Sequence, residues 1–197
     1  GALLHDANGT EALDALWDSA SGHAPDAHTT ERQTRDLILG SALQGDMDRC
    51  LRSLQHGQTQ ALQNRDLTPR MLERALKALL CHFPVYRTYG LRDAQDRQIL
   101  EQACTAASAD LDGGGQSALG WLRQRLLDAA HDAAEPEPVV RLEQLAAPLN
   151  AKAVEDTTFY RYGRLLSRNE VGSDPAVLAL SPSAFLALAD QRRARFP

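Results

Sequence analysis

Leucines and alanines recur at three- and four-residue steps along most of the chain, with polar residues between them, the periodicity of amphipathic helices. Leu13, Leu16 and Trp17 predict a short helix from about Thr10 to Ala20, with Thr10 as its N-cap. Residues 21–28 hold Gly22 and Pro25 and read as loop. Leu37, Leu43, Met47, Leu51 and Leu54 share roughly one face of a second helix. Thr30 with Gln33 has the pattern of a capping box that would open it, and it could run to about Leu62, with weak points at Gly40, Gly45 and Gly57. Thr68-Pro69 marks a helix start, and Leu72, Leu76, Leu79 and Phe83 form its stripe up to Pro84. Asp93 is the expected cap of a helix through Ile99, Leu100, Ala103 and Ala107, and Ser117 opens another with Leu119, Leu122 and Leu126. A further helix carries Val139, Leu142, Leu145 and Ala146 and is expected to end at Pro148. Ser181-Pro182 starts the last helix, which carries Phe185 and Leu188 into the basic end Arg192-Arg193-Ala194-Arg195.

Some stretches break this rhythm. Asp112-Gly113-Gly114-Gly115 predicts a flexible turn; without a preceding strand or a following Lys-Ser/Thr, the glycines do not read as a phosphate loop. Glu135-Pro136-Glu137-Pro138 reads as a stiff, charged linker. Residues 84–90 alternate and contain β-formers, and residues 149–154 read as a short buried strand with the polar residues placed at its C-terminal end. A strand cannot satisfy its backbone alone, so this one is expected to pair with 84–89 or with polypeptide outside the chain. The expected architecture is mainly α with one or two isolated strand segments. It divides into an opening segment with a short helix (1–29), a helical body (30–134), the linker (135–138) and a C-terminal region of helix, strand motif and helix (139–197).

A length of 197 residues suits one domain, or one domain plus a tail. The net charge of −5 argues against broad nucleic-acid binding and against an anionic membrane surface. The longest apolar runs, such as Ala78-Leu79-Leu80-Cys81, are too short to span a bilayer, and no basic-then-apolar signal segment opens the chain. The chain starts on Gly1 and is read as processed or cut from something longer. Cys50, Cys81 and Cys104 are odd in number and far apart, and they read as buried thiols of a reducing, cytoplasmic compartment. The six histidines show no paired ligand spacing, so no metal is expected.

The chemistry concentrates in 149–162, Leu-Asn-Ala-Lys-Ala-Val-Glu-Asp-Thr-Thr-Phe-Tyr-Arg-Tyr. All 4 tyrosines lie in two clusters, Phe83, Tyr86 and Tyr89, then Phe159, Tyr160 and Tyr162. Tyrosine offers an apolar face and a hydroxyl, which suits a partly polar ligand such as carbohydrate; the alternative is that the rings fill the core where helices end.

These residues carry a resemblance. Residues 151–162, continuing through Arg164-Leu165-Leu166-Ser167 and Asn169-Glu170-Val171-Gly172-Ser173-Asp174-Pro175, closely resemble the signature of maltooligosyl trehalose synthase, a family of the α-amylase clan (glycosyl hydrolase family 13). Phe83-Pro84-Val85-Tyr86-Arg87-Thr88-Tyr89 resembles a second family motif. Gly1 to Trp17, with Leu3-Leu4-His5-Asp6, is similar to the segment preceding the family's helical insertion. Ala153, Thr158, Gly163, Arg168 and Ser173 depart from the family's usual residues, which bears on fine substrate contacts. The resemblance implies the helical insertion domain of a (β/α)8-barrel enzyme, with barrel-derived strand segments near the C-terminus. It implies an intramolecular transglucosylase, (1→4)-α-D-glucan 1-α-D-glucosylmutase, that turns the reducing-end α-1,4 linkage of a maltooligosaccharide into an α,α-1,1 linkage by retaining chemistry. No cofactor is implied. The family's catalytic carboxylates match no position here, so the chain is expected to be an internal fragment without catalytic residues, inactive alone and partnered by the missing barrel. The other reading is a stand-alone all-helical interaction module without activity.

Expected substrate-binding residues are Lys152, Glu155, Asp156, Phe159, Tyr160, Arg161 and Tyr162, joined by Arg87 and Tyr89. Lys152, at a strand's C-terminal end, would contact sugar hydroxyls, or else pair with Glu155 or Asp156. Adjacent carboxylates on a strand point to opposite faces and would not flank one glycosidic bond. One of Glu155 and Asp156 is therefore read as facing substrate or Lys152, and the other as structural, paired with Arg161. The rings of Phe159, Tyr160 and Tyr162 would stack on glucose and exclude water, with at least one in the core. Arg87 and Tyr89 either line the same pocket or brace the helices.

Overall fold

The computed structural model describes residues 1–56, 66–132 and 136–195. They form helices α1 (Thr10–Ser21), α2 (Ala27–Leu39), α3 (Gln44–Gln55), α4 (Pro69–Cys81), α5 (Ala94–Ser108), α6 (Gly113–His131) and α7 (Glu137–Asn150). A π-helical segment (Ala151–Thr158), the single turn α8 (Phe159–Arg161) and α9 (Pro182–Arg195) follow. There is no strand among the described residues. The chain divides into two compact units, one of Arg32–Ala153 and one of Gly1–Glu31 with Val154–Pro197.

In the first unit α4 packs against α5 and α6, and α7 lies along α3 and α6. The Thr68 hydroxyl accepts the Met71 N–H at 3.2 Å and Pro69 occupies the first turn, so α4 starts where the sequence places it. Its buried residues Leu72, Ala75, Leu76, Leu79 and Leu80 repeat at the spacing of one helix face. They meet Leu100 of α5, Leu122 and Leu126 of α6, and Leu142 and Leu149 of α7 in one core. Asp93 caps α5 by accepting the Asp96 N–H at 2.8 Å. The three thiols are free, and burial pushes Cys50 and Cys104 up to about 12 and Cys81 up to about 11, so all three stay protonated at neutral pH.

Several expectations are corrected. The glycine run is not a turn but the first turn of α6: the Asp112 carboxylate accepts the Gly115 N–H at 2.8 Å, and this bond, with the Arg74 guanidinium, holds Asp112 below the usual carboxylate range. A β-carbon on Gly115 would stand 3.0 Å from the Leu111 side chain, a tight contact that Leu111 would have to yield to by a few tenths of an ångström. The second helix is split into α2 and α3 at Gly40–Leu43, where the Leu43 N–H turns back to the Ile38 carbonyl. Asp26, rather than Thr30, caps α2 through the Thr29 N–H. The expected reach to Leu62, the weak point at Gly57 and the Glu135 end of the linker lie outside the described residues, while Pro136 precedes α7 without a side-chain cap and Glu137 and Pro138 begin its first turn.

The largest correction concerns 149–154. Pro148 lies inside α7, and residues 137–161 are continuously helical with no barrel-derived strand. Proline removes one N–H from the ladder, but Leu142, Leu145, Ala146, Leu149 and Ala153 are all buried at helical spacing across it, and this burial outweighs one lost bond. Residues 84–90 likewise form no strand; the segment ends in three successive positive-φ residues, Tyr89 (40°), Gly90 (95°) and Leu91 (55°).

A buried polar hub joins the helices of this unit. Arg35 on α2 is 2% exposed. Its guanidinium donates to Asn150 Oδ1 at 2.6 Å and to the Leu80 carbonyl at 3.3 Å. Asn150 Nδ2 donates to the Ala146 and Val85 carbonyls at 2.9 and 3.1 Å.

In the second unit two guanidinium groups tie the loops. Arg164 bonds Asp14 at 2.9 Å and the Pro175 and Ala176 carbonyls at 2.9 and 2.8 Å. The buried Arg168 donates to the Val177 carbonyl at 2.8 Å, and the Leu180 N–H donates to the Ala2 carbonyl at 3.0 Å. Apolar cover is thin: no residue of α1 is buried, and Leu4, Leu16, Phe185, Leu186 and Leu188 are exposed. No helix is long and apolar enough to cross a membrane among the described residues.

Replacing Asn150 by Leu removes an Arg35 partner while keeping the volume. The expected loss is about 3 kcal/mol of unfolding free energy in urea melts. A loss below about 1 kcal/mol would show that the hub does not hold the helices together.

Candidate functional site

In the Arg32–Ala153 unit, the segment after α4 is shaped by a carboxylate that the sequence reading missed. Glu143 sits on the buried face of α7, one helical step from Val139 and Ala146, and is 7% exposed. Its Oε1 accepts the Gly90 N–H at 2.5 Å and the Thr88 hydroxyl at 3.1 Å; its Oε2 accepts Arg87 Nε at 3.3 Å. Thr88 and Leu91 point inward and are buried, while Tyr89 between them is 77% exposed. The Arg87 guanidinium stands 5.2 Å from the Tyr89 ring centroid, a cation–π distance. Arg87 and Tyr89 are thus brought together, with an exposed ring and an exposed cation side by side. Asp96 lies in the same electrostatic neighbourhood: burial first, then Asp93 and Glu143, push its carboxyl above the usual range. Lys152 is exposed and lies in the π-helical segment, not at the end of a strand.

In the other unit, the helix places the remaining residues by turn rather than by alternation. Phe159 and Tyr162 face inward, and Tyr160 is 86% exposed. Asp156 and Arg161 are exposed, and Glu155 is half-buried. The Tyr162 ring meets Trp17 edge-on at 5.6 Å between centroids, and Arg164 lies 5.8 Å over it. Burial pushes the Tyr162 hydroxyl up, with the Arg164 guanidinium opposing. Asn169 Nδ2 donates to the Phe159 and Tyr162 carbonyls at 2.8 and 2.6 Å, so a side chain of the following loop fastens the end of α8. Glu155 and Asp156, neighbours on a helix, diverge by roughly a quarter turn and do not face each other across a single bond. π-helical turns are uncommon and recur at functional sites, and this one carries Lys152 and the two carboxylates. Among the described residues, no group of three His, Cys, Asp or Glu is placed to hold a metal.

The fold is similar to a helical portion of a larger enzyme. Solved structures match it over 100% of this chain, which spans only 23% of theirs. That enzyme is maltooligosyltrehalose synthase from Arthrobacter ramosus, matched with TM-score 0.77 at 28% identity, and 0.78 at 29% for a mutant of it. In sequence, the chain is 49% identical over 59 residues to proteins named as maltooligosyl trehalose synthase in two strains of Mycobacterium tuberculosis. That stretch is 30% of this chain and 8% of those relatives. No family model matches. The chain therefore resembles maltooligosyl trehalose synthase, as its signature implies, in sequence locally and in fold throughout.

Because Asn169 fastens α8 beneath Tyr162, Asn169→Ala is expected to cost about 1–2 kcal/mol of stability. In a Trp121→Phe background it should also red-shift Trp17 emission, read by fluorescence. An unshifted spectrum would mean that the Trp17–Tyr162 contact does not depend on this tie.

Proposed function

We propose that this chain works as part of a trehalose-forming enzyme acting on maltooligosaccharides, an intramolecular transglucosylase that converts the reducing-end α-1,4 linkage to α,α-1,1. Its helices supply scaffold, residues 30–134 above all, and its exposed aromatic and charged side chains supply part of the sugar-binding surface. The catalytic carboxylates of the retaining mechanism stand outside this chain. The observation that carries the reading is the fold match, which runs along the whole chain at an identity above a quarter of positions. The apolar residues left exposed on α1 and α9 support a chain that meets further polypeptide of the same protein. In this reading Tyr160, Tyr89 and Arg87 contact substrate directly. Phe159 and Tyr162 hold the frame from within, and Lys152, Glu155, Asp156 and Arg161 supply hydrogen bonds to sugar hydroxyls. Its setting is the cytoplasm, where the free thiols stay reduced.

The test is maltopentaose offered to this chain alone and to the chain with whatever polypeptide flanks it in its coding sequence, following loss of reducing ends. Loss is expected only with the flanking polypeptide. Loss with the chain alone would put the catalytic carboxylates here, with Glu155 and Asp156 first to be replaced. No loss in either would favour the stand-alone interaction module. In the active form, Tyr160→Ala is expected to raise KM about tenfold, the equivalent of about 1.4 kcal/mol, with an unchanged melting temperature because the ring is exposed. An unchanged KM would remove Tyr160 from the sugar site.

A further inference from the structure

We infer that Glu143 is a positioning residue, which holds the 87–91 turn in its left-handed conformation and thereby fixes Tyr89 as a stacking platform for a pyranose ring. The inference rests on the glucan reading above and names the subsite it would use. The first observation is conformational. Tyr89 and Leu91 both adopt positive φ without being glycine, on either side of Gly90, and such residues persist only where the surroundings over-determine them. Left to itself, Val85-Tyr86-Arg87-Thr88-Tyr89 favours extended backbone.

The second observation identifies what over-determines it. One buried carboxylate accepts from the residue before Thr88, from Thr88 itself and from the residue after Tyr89, so Tyr89 is straddled by its bonds. Charged acceptors make the stronger hydrogen bonds, and a buried one is costly to leave without donors, so turn and carboxylate stabilise each other. The third observation is the outcome. With Thr88 and Leu91 drawn inside, the ring of Tyr89 is held out to solvent with a guanidinium against it. A ring fixed in advance loses little conformational freedom when a ligand stacks on it, and an amphipathic ring beside a cation matches a sugar's C–H face and hydroxyl edge.

The test uses the intact protein with maltopentaose as the probe, reading affinity by titration and amide exchange at Gly90. Glu143→Gln is expected to speed Gly90 exchange about tenfold and to weaken binding about fivefold, as Tyr89→Ala does. The double variant should bind no worse than either single one, because both act through the same ring. If Glu143→Gln folds poorly, Thr88→Val removes one donor and should produce the smaller version of both changes. Fast exchange at Gly90 with undiminished affinity would overturn the inference, and so would losses that add in the double variant. If Tyr89→Ala binds normally while Tyr160→Ala does not, the inference is overturned and the glucan reading stands. If the intact protein binds no maltooligosaccharide, both fall.

Discussion

A guanidinium cannot lie in an apolar interior without acceptors around it for its N–H groups, and the Arg32–Ala153 unit is arranged to meet that demand. Arg35 reaches the last turn of α4 through the Leu80 carbonyl and the end of α7 through Asn150. Asn150 passes the constraint on, because its amide also fixes the Val85 carbonyl. Glu143 stands two turns earlier on the same face of α7 and holds the other end of that segment. One stripe of one helix therefore carries two buried polar side chains, and between them they determine where 85–90 can go. The apolar stripe of α4 supplies the driving force for packing; these two groups supply the register.

What the sequence made legible follows the same division. Helix starts with a side-chain acceptor were readable at Thr68 and Asp93, because capping is local chemistry. The stripes of α4 and α6 were readable for the same reason. The run at 149–154 is short, apolar and beside a proline: periodicity over six residues cannot separate a buried strand from a buried helix, and the packing of α7 against α3 and α6 is not visible in that window. Propensity makes the three glycines a turn, whereas capping by Asp112 makes them the start of a helix.

The candidate site was legible as residue types and not as directions. Tyr160 and Tyr162 look alike in sequence, yet one is displayed and the other lies against Trp17. Glu143 left a signal that could have been used. It falls on the apolar face formed by Val139, Leu142 and Ala146, as Arg35 falls beside Ile38 and Leu39, and Asp96 a turn before Leu100. A charged residue at a core position has to be compensated, so such positions mark the places where a fold ties itself together.

The chain displays aromatic rings by two different routes, and the difference bears on what each can do. Tyr160 sits on a helical turn of ordinary backbone conformation, so its exposure needs no special support. Tyr89 requires a turn that its own sequence disfavours, at a cost of about 1–3 kcal/mol for each strained residue. Hydrogen bonds to a buried charge contribute about 1.5–3 kcal/mol each, enough for the three at Glu143 to offset that strain. Local preference would have given an extended segment at no such cost. A fold that spends a buried carboxylate on turning one tyrosine outward, and sets an arginine against the ring, has a geometry that packing alone does not require. Its physical content is a ring whose orientation is set before any ligand arrives.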